Sequence, residues 1–552
     1  MTSLTIDGHA VSFTPGDSVL SAARRLGLDI PTLCYLEKCG PLNSCQVCLV
    51  KVNGKLVPSC GTKAQAGMVV ESETDEVHEA RRTALELLFS DHVGDCLAPC
   101  NRLCPLRLNI PEMIRHIQTD HLDQSARLVR DTLPLPSILG RLCHHPCEQG
   151  CRRGAWDQPA SIRDMERLAA DHGLWSAECG VRNAECRDPN GGKTPHSALC
   201  TLHSNRSVVI VGAGPTGLAA AYYLLRHGHA CTIADRHETP GGSLRGEVAK
   251  GTLAPEVLAA ELQQLERLGL QFKSNAVLGH DVTVEGLLRG FDVVLLTVGE
   301  MTKAEGESLG LEMVPGGIKI NSDTLQTPRK SVFAAGRAVR PISQLVRAMS
   351  EGLLAAECIH QFLHGQTIHR PDKPFSSIMG RIESDELKHF VAPASPTPRR
   401  SPCDTCAGLS RQEGATEAAR CLHCDCRSSG DCALQSYAQT YGADPSRFRA
   451  TRRPFEQYLQ PGGIIFEPGK CIACGICVKL TELAREPLGL TFIGRGFDVR
   501  VGVPFNRTVE EGLRVAAKEC VEHCPTGALV FREAACPSPA AAQLSQGVTA
   551  RE

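Results

Sequence analysis

The chain is 552 residues long and 42% hydrophobic, enough for roughly three to five cored domains at about 100–200 residues each. Its 59 basic and 61 acidic side chains nearly cancel, which argues against a nucleic-acid or anionic-membrane surface and for small-molecule or protein partners. No apolar run approaches the about 20 residues of a membrane-spanning helix, and the Met-Thr-Ser-Leu-Thr-Ile start lacks the basic and apolar regions of a secretory signal, so the expected setting is cytoplasmic.

The 28 cysteines fall mostly into CxxC or CxxxC groups. In a long chain without a signal peptide these read as reduced metal ligands rather than a disulfide framework.

Short apolar alternations from Leu4 to Phe13 and from Val47 to Val57, broken by Asp-Gly and Asn-Gly, predict hairpins around a small sheet. Between and after them, Cys34, Cys45, Cys48 and Cys60 supply the four thiolates that a [2Fe-2S] cluster requires, with the CQVC pair clasping one side. A structural zinc is the alternative, and Cys39 is a spare. PTLCYLEKCGPLNSCQVCLVKVNG followed by VPSCGTKAQAGMVV resembles the plant-type ferredoxin module that opens the large iron-sulfur subunit of respiratory complex I, iron-only hydrogenases and NAD-linked formate dehydrogenases.

After the amphipathic stretch Glu79 to Phe89 come Cys96, Cys100 and Cys104, and later Cys143, Cys147 and Cys151. Two cubane clusters need eight ligands, so these six leave two places for other side chains or for a missing cluster. CP before LNIPEMIRHI, then GRLC, then PASIRDMERLAAD resembles the iron-sulfur domain of the glutamate synthase small subunit and of dihydropyrimidine dehydrogenase. That resemblance implies one [4Fe-4S] cluster on Cys96, Cys100 and Cys151, and a second on Cys104, Cys143, Cys147 and Glu166. His92 stands where the first cluster's first cysteine belongs, and HxxxC also resembles the histidine-ligated cluster of the complex I subunit. The bland readings are a solvated loop histidine and an exposed helix acid.

Past a polar linker at 188–205, SVVIVGAGPTGLAAAYYLLRHG predicts a buried strand at Val208 to Val211, a tight turn at Gly212, Gly214 and Gly217, and a helix whose N-terminus faces a pyrophosphate. Asp235, ending the next strand, is placed to hold a ribose hydroxyl. Gly241 and Gly242 in ETPGGSLRG, with Gly336 in SVFAAGRAVRPISQLVRAMSEGLLAAECI, resemble the FAD-binding fold of the glutamate synthase group. Arg337 replaces that group's usual Asp, and no second GxGxxG fits between Glu300 and LGLEMVPGGIKINSD, where those relatives carry an NAD(P)H domain.

A proline- and charge-rich connector at 371–402 leads to a second cysteine concentration. Cys421, Cys424, Cys426 and Cys432 suit a further [4Fe-4S] cluster or a tetrahedral zinc, and Cys403 and Cys406 are near enough in sequence to contribute. Cys471, Cys474 and Cys477, with Cys524 before Pro525, match a bacterial-ferredoxin [4Fe-4S] pattern, and Cys520 is an alternative ligand. LGLTFIGRGFDVRVGVPF between them again resembles the complex I large subunit and its relatives. Beyond about Cys536 the Ala-, Ser- and Gln-rich tail reads as disordered.

The expected fold class is multidomain α/β and α+β. It comprises a β-grasp [2Fe-2S] ferredoxin (1–78), a helical double-cluster domain (79–187), a Rossmann-like FAD domain (206–370), a cysteine-rich segment (403–455) and a ferredoxin-like [4Fe-4S] domain (456–535). The resemblances imply an electron-transfer subunit of an oxidoreductase with [2Fe-2S], two to four [4Fe-4S] clusters and FAD. Its partners would be a catalytic molybdenum, tungsten or hydrogenase subunit and an NADH- or ferredoxin-linked flavoprotein. A self-sufficient or electron-bifurcating flavoenzyme and an interaction scaffold with a degenerate flavin site are the alternatives.

Overall fold

Asp7-Gly8 and Asn53-Gly54 both take left-handed backbone at each residue (φ 47° and 83°; 47° and 82°), as type I′ hairpin turns require. In this computed structural model they close β1 (Ser3–Ile6) on β2 (His9–Ser12) and β3 (Leu49–Val52) on β4 (Lys55–Pro58). β5 (Val69–Glu71) runs parallel to β1 and antiparallel to β3, so the sheet order is β2-β1-β5-β3-β4. Leu4, Ile6, Val50 and Val52 face one core, which the helix Val19–Arg25 completes with Val19, Leu20 and Ala23. This is the β-grasp arrangement expected of the amino-terminal segment.

The structure describes residues 3–175, 206–371, 373–402, 407–428, 430–460 and 463–532. The expected linker at 188–205, Cys403 and Cys406, and the tail from 536 lie outside them. The chain divides into two compact units, each discontinuous in sequence: 1–98 with 374–394 and 422–552, and 99–373 with 395–421.

In the first unit, Thr74 caps α1 (Asp75–Ser90), whose buried stripe includes Val77, Leu85 and Phe89. Arg81 is fully buried on the same helix and donates to the Leu49 carbonyl (3.0 Å) and the Tyr441 hydroxyl (2.8 Å), so its charge is not left bare. The stretch expected as a connector holds a helix, Ser384–Val391, with a Glu383–Glu386 capping box. Its Leu387 and Phe390 are buried, and Phe390 stacks on Phe455 at 4.1 Å. Proline and charge density hide this helix in the sequence, because its apolar face consists of only one i,i+3 pair. The strands Tyr458–Leu459, Ile464–Phe466 and Leu529–Phe531 form a further small sheet beside the helix Ile476–Leu483.

The second unit begins with short helices: α2 (Pro99–Leu103), α3 (Pro136–Leu142), α4 (Pro146–Gln149) and the longer α5 (Ile162–Trp175). The parallel sheet that follows contains β6 (Ser207–Val211), β7 (Ala230–Ala234), β8 (Gln271–Lys273), β9 (Val293–Leu296) and β10 (Val332–Ala334) in the order β8-β7-β6-β9-β10. Continuous apolar runs such as Val208 to Val211 are buried along the strand, as expected of a parallel sheet covered on both faces. Between β9 and β10 the chain makes only the six-residue helix Lys303–Ser308 and a hairpin of Met313–Val314 with Gly317–Ile318.

Two helices lie close against this sheet, α6 (Pro215–Arg226) and α7 (Leu345–Leu363). Gly352 makes their approach possible: a Cβ there would sit 2.4 Å from the Thr216 carbonyl oxygen and 2.8 Å from the Ala220 nitrogen. Gly352→Ala is therefore expected to destabilise the protein by about 1–3 kcal/mol, read from the shift in urea midpoint.

Candidate metal centres and nucleotide site

Cys34, Cys45, Cys48 and Cys60 are all buried in the loops beside the β-grasp sheet. Left-handed backbone at Asn43 and Gln46 turns the loop, and Cys48 Sγ lies 3.3 Å from Cys60 Sγ. Interaction with the neighbouring thiols Cys45 and Cys60 holds the Cys34 thiol far below the usual range, and interaction with Cys60 lowers Cys48 to about 6. Cys45 and Cys60 are pushed up in turn. Four thiols sharing protons this closely form the donor set that an iron pair would displace the protons from.

In the same unit Cys471, Cys474, Cys477 and Cys524 lie close enough that the charge of Cys524 acts on the other three. Left-handed Ala473 and Gly475 wrap the chain before the helix Ile476–Leu483, and the Ala473 amide donates to Cys471 Sγ at 3.4 Å. Burial pushes Cys471 up to about 11 and Cys477 well above the ordinary thiol range. This set abuts the first: Ser44 Oγ donates to the Cys474 carbonyl at 3.1 Å, and the Cys34 charge acts on Cys474. Cys520 is fully buried, with its Sγ 3.8 Å from the Cys477 carbonyl.

A third grouping is not the one the sequence suggests. Cys96, Cys424, Cys426 and Cys432 belong to the first unit and Cys100, Cys151 and Cys421 to the second. Cys96 lies instead with Cys426 and Cys432: the Cys426 amide donates to the Cys96 carbonyl at 3.3 Å, and the charges of Cys96 and Cys426 act on Cys432. The Ser377 amide donates to Cys96 Sγ (3.4 Å) and the Gln435 amide to Cys432 Sγ (3.4 Å). Cys432 Sγ in turn lies 3.6 Å from the carbonyl of Pro525, next to Cys524.

His92 lies nearby, half-buried, against Lys470. Burial, then the Lys470 charge, depresses its imidazole to about 3, so it is neutral at pH 7. The ring makes a hydrogen bond with the Lys470 backbone, and its buried Nδ1 has no hydrogen-bond partner. An orphaned, neutral imidazole nitrogen against Lys470, which itself bonds Cys426, fits an iron ligand better than the solvated loop histidine.

Lys470, which sequence reasoning passed over, is buried among these groups. It donates to Cys426 Sγ at 3.6 Å and pairs with Glu467, which also receives Arg427 at 3.2 Å. Burial alone would depress this amine, but the Cys426 and Glu467 charges outweigh it and keep the amine protonated. The only signal in the sequence is its position immediately before Cys471.

In the second unit, Glu166 on α5 faces Cys104, Cys143 and Cys147, and its charge acts on all three. It is buried rather than the exposed acid of the bland reading, and burial raises it to about 8. Burial also raises Cys104 to about 11 and Cys143 to about 12. Close packing of α3 on α5 sets this geometry, since a Cβ on Gly140 would lie 2.7 Å from Arg167 Cα. Cys100, Cys151 and Cys421 pack against the same core. Arg153, two residues after Cys151, donates to the Arg420 carbonyl at 3.1 Å and so ties the Cys421 segment to that turn.

At the nucleotide motif, Gly212 has φ +114°, and a Cβ there would meet the Thr297 carbonyl oxygen at 2.4 Å. Gly217 allows the turn to close on the helix, its Cβ position falling 2.1 Å from the Gly212 oxygen. Gly214, at the N-cap of α6, faces open space within 4 Å, the room a phosphate needs against a helix N-terminus. Gly242 backs onto Gly214, Gly241 follows with φ +131°, and Gly336 packs on Thr216. Asp235 accepts the Ala213 amide (2.6 Å) and the His237 amide (2.8 Å), so it braces the glycine turn. Arg337 pairs with Glu300.

Residues 1–75 match the 2Fe-2S iron-sulfur cluster binding domain family, 71–177 the 4Fe-4S domain II of dihydropyrimidine dehydrogenase, and 186–352 the pyridine nucleotide-disulphide oxidoreductases. The chain carries these three domains. NADP(+)-dependent formate dehydrogenase subunit beta of Moorella thermoacetica is 34% identical over 207 residues, 37% of this chain and 29% of that protein. NADPH-Fe(3+) oxidoreductase subunit beta of Geobacter sulfurreducens is 35% identical over 231 residues, 40% of this chain and 32% of that protein. NAD-dependent dihydropyrimidine dehydrogenase subunit PreT of Escherichia coli is 29% identical over 251 residues, 44% of this chain and 56% of that protein. The chain thus spans less than two thirds of the length of each. No helix among the described residues is long and apolar enough to cross a membrane.

Burial raises the Glu166 carboxyl to about 8, so iron held by it would compete with its proton as pH falls. Anaerobic iron and sulfide analysis is expected to find one cubane fewer in Glu166→Ala. In the native chain, reconstitution is expected to be weaker at about pH 6.5 than at about pH 8.5.

Proposed function

We propose that this chain is an iron-sulfur flavoprotein subunit that relays electrons between an NADH- or ferredoxin-linked partner and a catalytic subunit such as a formate dehydrogenase or hydrogenase. The observation that carries the reading is the run of three donor sets through one unit. Cys34, Cys45, Cys48 and Cys60 abut Cys471, Cys474, Cys477 and Cys524 through Ser44 and Cys474. That set leads through Pro525 to Cys432, Cys426 and Cys96.

We assign the last set as His92, Cys96, Cys426 and Cys432, one [4Fe-4S] centre whose ligands are divided by the inserted second unit. His92-x3-Cys96 then continues, after the insertion, as Cys426-x5-Cys432. In the second unit, Cys104, Cys143, Cys147 and Glu166 form a further set, and Cys100, Cys151 and Cys421 contribute to another. FAD is assigned to the cradle of Gly212, Gly214, Gly217, Asp235, Gly241, Gly242 and Gly336. When bound, clusters carry single electrons and a flavin exchanges pairs with single electrons. The protein's part is to space, bury and bias them.

Two features favour a partner-fed relay over a self-sufficient enzyme. The segment 297–331 holds only a short helix and a hairpin where a nicotinamide domain would stand. The names of the relatives, subunits of formate dehydrogenase and of other NAD(P)-linked oxidoreductases, point the same way.

The anaerobically purified chain is expected to stay oxidised with NAD(P)H alone and to be reduced by a low-potential ferredoxin-type donor; rapid stoichiometric reduction by NAD(P)H would overturn the relay reading. Lys470→Met removes a buried positive charge that favours the reduced state. It is expected to lower one cluster's midpoint by about 60 mV, a tenfold change in a one-electron equilibrium, in an EPR-monitored titration.

A further inference from the structure

Four histidines gather at the edge of the parallel sheet opposite the nucleotide turn. His227 caps the C-terminus of α6, His229 directly precedes β7, and His360 and His364 stand one turn apart at the C-terminal end of α7. The glycine turn follows the other end of β6, so this cluster takes no part in dinucleotide binding.

The rings are ordered by one another. His229 Nε2 and His360 Nδ1 share a hydrogen bond of 2.9 Å, and the His227 ring stacks on His360 with centroids 4.2 Å apart and planes at 25°. His364 Nδ1 lies 2.9 Å from the His360 carbonyl oxygen, which can only accept. His364 Nδ1 therefore carries a proton and Nε2 is the nitrogen left to coordinate, the arrangement of a metal-binding histidine whose other nitrogen is held. The nitrogens that His229, His360 and His364 offer all lie within 4.8 Å of one another. A tetrahedral ion with bonds of about 2.0–2.1 Å needs them about 3.3 Å apart, within reach of small ring rotations. His229 is buried, His360 half-buried and His364 exposed, so the site opens to solvent on one side.

The electrostatics favour a cation. The carbonyl ends of α6 and α7 converge here, each the negative pole of its helix. Asp292 is close enough to act on His229.

We propose that His229, His360 and His364 bind a borderline divalent metal of the zinc class, with His227 fixing the His360 ring. The ion displaces the hydrogen bond between His229 and His360 and clips the turn before β7 to the end of α7. Its fourth position faces solvent, open to water or to a ligand from another protein. Nitrogen-only donors at tetrahedral reach suit Zn²⁺ over calcium or magnesium, which take oxygen.

The test uses the anaerobic holoprotein, stripped of loosely held metal with a chelator and titrated with Zn²⁺, with bound zinc, iron and sulfide quantified together. One equivalent of zinc is expected in the native chain. At least tenfold weaker binding is expected in His364→Ala and in His360→Ala/His364→Ala, with iron and sulfide unchanged. A zinc-dependent rise in melting temperature should accompany binding in the native chain and be absent from the double variant. Because His364 is an exposed helix-end residue, the single variant keeps the test valid if the double variant folds poorly. Zinc that binds equally to native and His364→Ala protein would place it on spare thiols and overturn the proposal, as would no stoichiometric binding at all.

Discussion

One backbone hydrogen bond, from the Cys426 amide to the Cys96 carbonyl, joins residues 330 positions apart, and the organisation of the chain depends on the junction it marks. A cubane cluster requires its donors to converge on one point, so the two halves of a divided ligand set cannot drift apart without losing the metal. Each half is anchored independently. Ser377 holds Cys96 through its amide and the Gly94 carbonyl through its hydroxyl (2.7 Å), and the Asp95 carboxylate accepts the Met379 amide (2.8 Å). The inserted residues are free to build a unit of their own with its own core because the junction is closed locally.

Burying a lysine, a glutamate and an arginine beside thiols costs desolvation energy that their mutual attraction offsets only when geometry is good. Lys470, Glu467 and Arg427 meet that condition as a chain ending on Cys426. An apolar core would serve stability as well, so the network is better explained by what it does to charge. A fixed ammonium beside a thiolate favours electron acceptance there, and the amide-to-sulfur bonds at Cys96, Cys432, Cys471 and Cys143 act in the same direction. In the second unit the proposed set would bring the Glu166 carboxylate in place of a thiolate, a donor of different chemistry.

Much of this was legible in the sequence wherever the signal was local. The Asp-Gly and Asn-Gly turns, the buried strand before Gly212, and the CxxCxxC run with Cys524 before proline all encode their geometry within a few residues. The Glu166 and His92 readings also rest on local motifs: Glu166 is buried facing Cys104, Cys143 and Cys147, and His92 is half-buried against Lys470. What could not be read was pairing across the insertion. Cys96 is four residues from Cys100 yet lies with Cys426 and Cys432, because sequence proximity says nothing about which unit a residue joins. Likewise, the Ser384–Val391 helix depends on Phe390 meeting Phe455, and the histidine cluster on two helix ends and a strand start converging in space.

The divided ligand set is most directly tested by pulsed EPR of the reduced holoprotein, looking for the nitrogen coupling of an iron-bound imidazole. The account predicts a coupling that disappears in His92→Cys while the cluster is retained, and whose cluster alone is lost in Cys426→Ser. No imidazole coupling in the native chain, or a coupling unchanged in His92→Cys, would contradict it.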